Sequence, residues 1–67
     1  MKIKITTEYI KLDQLLKFSG LCMTGGEAAI AIKEGLVTFN GETCTQRGKK
    51  VRVGDIISVN GEIIEVE

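Results

Sequence analysis

The chain contains no histidine, no proline and no tryptophan, and it has two cysteines, one tyrosine and two phenylalanines. Each shortage closes a class of function. Without histidine, Ser19, Ser58, Cys22 and Cys44 have no imidazole to activate them as nucleophiles. A structural zinc site takes four Cys or His ligands, so two thiols fall short. Glu62, Glu65 and Glu67 crowd one short segment and read as solvent-facing charge, with none of the geometric roles of an active site assignable. No apolar run reaches the roughly 18 residues of a membrane span. The opening MKIKITTEY alternates charge with isoleucine and lacks the apolar block of a signal peptide. The expectations are a cytoplasmic, non-catalytic protein with reduced, buried cysteines and no metal, cofactor, membrane or small-molecule substrate.

Net charge is missing too: nine basic and nine acidic residues cancel to a formal zero. With 43% hydrophobic and 27% charged residues, the 67-residue chain is globular in composition, not disordered. That length suits a single domain over 1–67. A domain this small buries only about 60% of its unfolded surface, so a binding surface is easier to build than a deep cleft.

What is present alternates. KIKIT (2–6) has period two, with Ile3 and Ile5 on one side, and predicts a half-buried strand. Leu12, Leu15 and Leu16 fall on one helical face and predict a helix over about 11–19, with Asp13 early, Lys17 late and Gly20 as its stop. TGGEAAIAIKEG (24–35) predicts a second helix. Thr24 and Glu27 have the spacing of a capping box, Ala28, Ala31 and Ile32 form the buried stripe, and Gly35 ends it. Two Asn-Gly hairpins follow, TFNGETC (38–44) and SVNGEII (58–64). The first pairs residue 39 with 42 and 37 with 44, putting Val37, Phe39 and Cys44 on the core face. The second does the same for Ile57, Val59, Ile64 and Val66. The first strand is expected to pair with the terminal IIEVE. In the connecting TQRGKKVRVGD (45–55), Val51 and Val53 alternate with Lys50 and Arg52, so the valines are expected inside and the two cations outside.

That connection raises the functional question. QRGKKVR (46–52) holds Arg47, Lys49, Lys50 and Arg52, four of the nine cations. Residues 33–54 carry five basic and two acidic residues, a net of +3, so the rest of the neutral chain carries −3. A solvated loop is one explanation. A phosphate-binding surface is the other, and the charge asymmetry favours it. The lack of paired surface aromatics argues against a base-stacking platform and for backbone and shape recognition of structured RNA. TGGE could present helix amides to one phosphate, but no Lys-Ser/Thr pair follows, so it is not a P-loop. A protein-interaction adaptor that uses a sheet edge is the alternative of a different class.

Taken in order, KLDQLLKFSGL, GGEAAIAIKEGLVTFNGE and RGKKVRVGDII resemble the RNA-binding domain named after ribosomal small-subunit protein S-four, the alpha-L motif, and within it the short stand-alone YaaA-type members. The resemblance spans about residues 8–60. It implies an α+β fold, two short helices packed on a small, mostly antiparallel twisted sheet. It implies binding of ribosomal or transfer RNA, in ribosome assembly or translation. Carried onto this chain, the implied contact residues are Gly25, Gly26, Lys33, Asn40, Arg47, Lys49, Lys50 and Arg52, with Lys11 and Lys17 of the first helix as additions. The chain departs from the usual pattern at Gly25-Gly26, where many members have Ser-Arg. It departs again at Ala29 and Gln46, where a basic residue is common.

Overall fold

The computed structural model describes all residues 1–67. Its elements run β1 (Lys2–Ile3), β2 (Ile10–Lys11), α1 (Leu12–Phe18), α2 (Gly25–Lys33), β3 (Val37–Phe39), β4 (Glu42–Thr43), β5 (Lys50–Val51), β6 (Ile56–Val59) and β7 (Glu62–Val66). Five strands form a sheet in the order β1-β7-β6-β3-β4, antiparallel except for the parallel β1–β7 pair. The strands β2 and β5 make a separate antiparallel ribbon. This is the expected α+β arrangement, with two helices on one face of the sheet.

The core follows the predicted faces. Leu12, Leu15 and Leu16 of α1 and Ala28 and Ile32 of α2 meet Val37, Ile57, Val59, Ile64 and Val66 of the sheet, with Val51 from the ribbon and Cys22 from the helix connection. Ala31, Phe39 and Cys44 pack against this cluster half-buried. Cys44 is therefore less buried than expected, although both thiols are free.

The helix ends explain themselves. Thr24 accepts from the Glu27 N–H at 3.1 Å, and the Glu27 carboxylate accepts from the Met23 N–H at 3.1 Å, one residue further back than a simple capping box. At the other end Gly35 adopts φ +77 and donates to Ile32 while Leu36 donates to Ala31. These paired bonds satisfy the last carbonyls of α2 and require the left-handed residue that glycine supplies.

Both Asn-Gly turns have positive φ at each central residue, 49 and 89 for Asn40-Gly41 and 51 and 80 for Asn60-Gly61. The registers are as read from the sequence: Phe39 faces Glu42, the Cys44 N–H donates to Val37, and Ile57 faces Ile64. The first strand does pair with the terminal one, Lys2 with Glu65 and Ile3 with Val66, but as two residues instead of five.

Two expectations need correction. Val53 is 63% exposed, not inward. The strand alternation stops at Val51 because the Asp55 carboxylate accepts from the Arg52 N–H at 2.8 Å and turns the chain. Lys11 lies in β2 just before α1, not in the helix.

The two hairpins share their text but not their anchoring. Asn40 donates to Asp55 at 3.1 Å and accepts from the Ile56 N–H at 2.8 Å, tying the first hairpin to the Gly54-Asp55 turn. Asn60 makes no such bond. Asn40→Ala should therefore cost about 1–2 kcal/mol more than Asn60→Ala in chemical denaturation, the value of the lost side-chain bonds beyond the shared turn effect. A second expectation concerns Cys22. Burial, and secondarily the Glu27 carboxylate, push its thiol above the ordinary range. The unfolded chain then releases its thiol proton at lower pH than the folded one. Stability should fall as pH climbs past the ordinary thiol range, and Cys22→Ala should flatten that loss in alkaline melting curves.

Candidate nucleic-acid interface

The ribbon is the frame of the basic surface. Ile10 faces Val51, and this pair turns inward, Val51 being fully buried. Side chains alternate along a strand, so the neighbours turn outward. Lys11 and Lys50 are directly opposed, both exposed. Tyr9 lies two residues before Lys11 and so diagonal to Lys50, whose Nζ sits 4.9 Å from the Tyr9 ring centroid.

Lys49 has the opposite parity and goes the other way. It is half-buried and lies over the Phe39 ring at 4.9 Å. Consecutive lysines therefore straddle the segment, each over an aromatic ring. Such contacts contribute about 0.5–1 kcal/mol at exposed sites. They hold the ammonium groups without neutralising them.

Arg47 is the exception. It makes the one ion pair in the molecule, Nε to Asp13 at 3.2 Å. Asp13 is the one buried charged residue, and its second carboxylate oxygen accepts from the Gln14 N–H at 2.8 Å. The backbone repeats the contact: the Asp13 N–H donates to the Arg47 carbonyl at 3.1 Å and the Leu12 N–H to the Lys49 carbonyl at 2.9 Å. The sequence suggested a helix-dipole role for Asp13 and gave no sign of its partner. Only its early position in the helix marked it.

The other expected residues divide. Arg52 is exposed just past the end of β5, where its N–H donates to the Asp55 carboxylate. Asn40 is exposed, with its side chain engaged by Asp55 and Ile56. Gly25 and Gly26 open α2, and a Cβ added at Gly25 would meet nothing within 4 Å, at Gly26 only the Thr24 hydroxyl at 3.8 Å. The fold itself thus has no steric need for either glycine, although each costs about 1 kcal/mol against alanine inside a helix. Lys17 and Lys33 are exposed in the last turns of α1 and α2, where cations suit the helix dipole, and no contact ties them to the ribbon.

A model of the S4 domain family matches residues 3–67, nearly the whole chain. The chain belongs to the S4-domain family. Among its S4-domain relatives is the probable ribosome maturation protein RlbA of Bacillus subtilis, 39% identical over 59 residues that cover 88% of this chain and 83% of RlbA. The solution structure of YbcJ from Escherichia coli, described as revealing an alpha-L motif involved in RNA-binding, superposes with a TM-score of 0.75 at 30% identity. That match covers 97% of this chain and 84% of YbcJ. The dual-specificity RNA pseudouridine synthase RluF of Escherichia coli is 38% identical over 56 residues, 84% of this chain but 19% of RluF. The likeness to RluF is thus confined to a small part of that enzyme.

The Asp13 contact predicts a difference among the cations. Arg47→Ala leaves a buried carboxylate short of a partner and should lower stability by about 1–2 kcal/mol, less than for a fully buried pair because Arg47 is largely exposed. Lys50→Ala and Arg52→Ala should stay within about 0.5 kcal/mol of wild type in the same denaturation experiment.

Proposed function

We propose that this protein binds structured RNA through the outward face of the β2–β5 ribbon and its flanks, without catalysing a reaction. One observation carries the reading. A neutral chain sets Lys11 directly against Lys50, adds Arg47, Lys49 and Arg52 around them, and pairs only Arg47 with a carboxylate. Like charges directly opposed on a ribbon are destabilising. A phosphate between them turns that repulsion into two favourable contacts. The cations are the phosphate contacts, Gly25 and Gly26 let an RNA backbone approach the start of α2, and Asn40 positions the first hairpin beside them. Lys17 and Lys33 extend the surface along the helices.

RlbA, by its name, serves ribosome maturation, and that supports ribosomal RNA as the target and ribosome assembly as the process, with transfer RNA as the other structured candidate. Such a role is cytoplasmic. No helix is long and apolar enough to cross a membrane. The sheet-edge adaptor has less support: both edge strands, β1 and β4, are two residues long and offer little backbone to a partner strand.

The test is binding of fluorescent structured RNAs over a salt series. Wild type should bind with a log–log salt slope no steeper than about −3.5 to −4.5, the value for five phosphate contacts all made. Lys50→Ala combined with Arg52→Ala should weaken binding at low salt, flatten the slope by about two contacts and leave the melting temperature unchanged. A folded double variant that binds as wild type does would place the phosphate surface elsewhere.

A further inference from the structure

A cleft of about 210 Å³ lies between the first hairpin and the segment leading to the ribbon, lined by Phe39, Glu42, Thr43, Cys44, Gln46 and Lys49 among others. Its one aromatic lining residue is Phe39, whose ring carries the Lys49 ammonium. Phe39 and Glu42 are direct cross-strand partners, so the Glu42 carboxylate stands beside that ring. Gln46 lies in the connection after β4, and neither its side-chain amide nor the Glu42 carboxylate has a hydrogen-bond or ion partner in the molecule. Lys49 reaches over the ring from the third side.

Glu42 is out of place on a phosphate-binding surface. An unpaired carboxylate repels the RNA backbone, and an uncharged hydrophilic residue at this exposed position of β4 would serve the hairpin equally. Its position suggests another purpose. A carboxylate offers two acceptors side by side and no donor. Among the four bases, guanine alone presents two adjacent donors on its Watson–Crick edge, the N1–H and the N2 amino group. Adenine and cytosine each set one amino donor beside a ring-nitrogen lone pair, and uracil flanks its single N–H with two carbonyls. All three would turn a lone pair toward Glu42.

We propose that this cleft takes a single unstacked guanine. The base lies against Phe39 in place of the Lys49 ammonium, its N1–H and N2 amino group donate to Glu42, and its O6 accepts from the displaced Lys49 and from the Gln46 amide. Stacking on an aromatic side chain with hydrogen bonds to the exposed base edge is how proteins read unpaired RNA bases. One ring accommodates one base, so this is a point of sequence selection set into a shape-reading surface, not a stacking platform. The inference rests on the RNA-binding reading for the source of the base. The same chemistry would also accept a free guanine nucleotide.

The experiment uses one hairpin RNA with a single unpaired nucleotide, made as guanine, inosine, adenine or an abasic site, together with GMP and AMP. Binding of the hairpins is measured by fluorescence anisotropy, and amide shifts of the protein by NMR. Guanine should bind about tenfold or more tighter than adenine or the abasic site, inosine should fall between them, and Glu42→Gln should level the series. Glu42 is exposed on an edge strand, so that variant tests recognition without disturbing the core. Shifts at Phe39, Cys44, Gln46 and Lys49 with GMP but not AMP, without discrimination among the hairpins, would uphold the guanine site and make the free nucleotide its source. Equal, steeply salt-dependent binding of all four hairpins, with no GMP shifts, would overturn the guanine site and leave the phosphate surface standing. A Glu42→Gln protein that binds every hairpin more tightly by the same factor would also overturn it, by making the carboxylate merely repulsive. Failure to bind any hairpin would count against the RNA reading, and the GMP arm would then decide the cleft by itself.

Discussion

Two backbone hydrogen bonds, from the Leu12 and Asp13 amides to the Lys49 and Arg47 carbonyls, hold the basic segment to the start of α1. A helix begins with amides that have no partner within it, and they must find acceptors elsewhere. Lys11, at the position where a capping side chain would stand, supplies none. The carbonyls of the basic segment do that work, and the Asp13 carboxylate adds a further clasp on Arg47. The segment is thus gripped by its backbone. The Lys50 and Arg52 side chains are left exposed, and Val51 seals the arrangement into the core.

This way of holding the segment keeps its charge available. Were the lysines fixed by carboxylates, a phosphate would have to displace an ion pair. They lie over Tyr9 and Phe39 instead, in contacts weak enough to be surrendered. The compensating acids are elsewhere in the chain, Glu62, Glu65 and Glu67 on or beside β7 among them.

The parts of the fold that were legible in the sequence are those with local causes. Asn40-Gly41 and Asn60-Gly61 set their own backbone angles and hence the registers of both hairpins. Thr24, Glu27 and Gly35 fix the limits of α2 from within a few residues. The β2–β5 ribbon was not legible, because two-residue strands carry no periodicity and their partners are distant in sequence. The same distance hid the pairing of Asp13 with Arg47. Val53 leaves the alternation because a single carboxylate, Asp55, imposes a turn just after Val51. For the candidate site, residue types and charge were visible beforehand. The grouping of Lys11 with Lys50, the separation of Lys17 and Lys33, and the two aromatic supports came only from the folded chain.

The opposition of Lys11 and Lys50 has a consequence for how such a chain can change. The free protein carries a repulsion that a glutamate at either position would convert into attraction. Selection for thermal endurance alone would therefore favour a glutamate at one of the two positions, by the roughly 0.2–1 kcal/mol that an exposed cross-strand charge pair is worth. In the folded chain the Tyr9 ring supports the Lys50 ammonium, and no carboxylate pairs with either lysine.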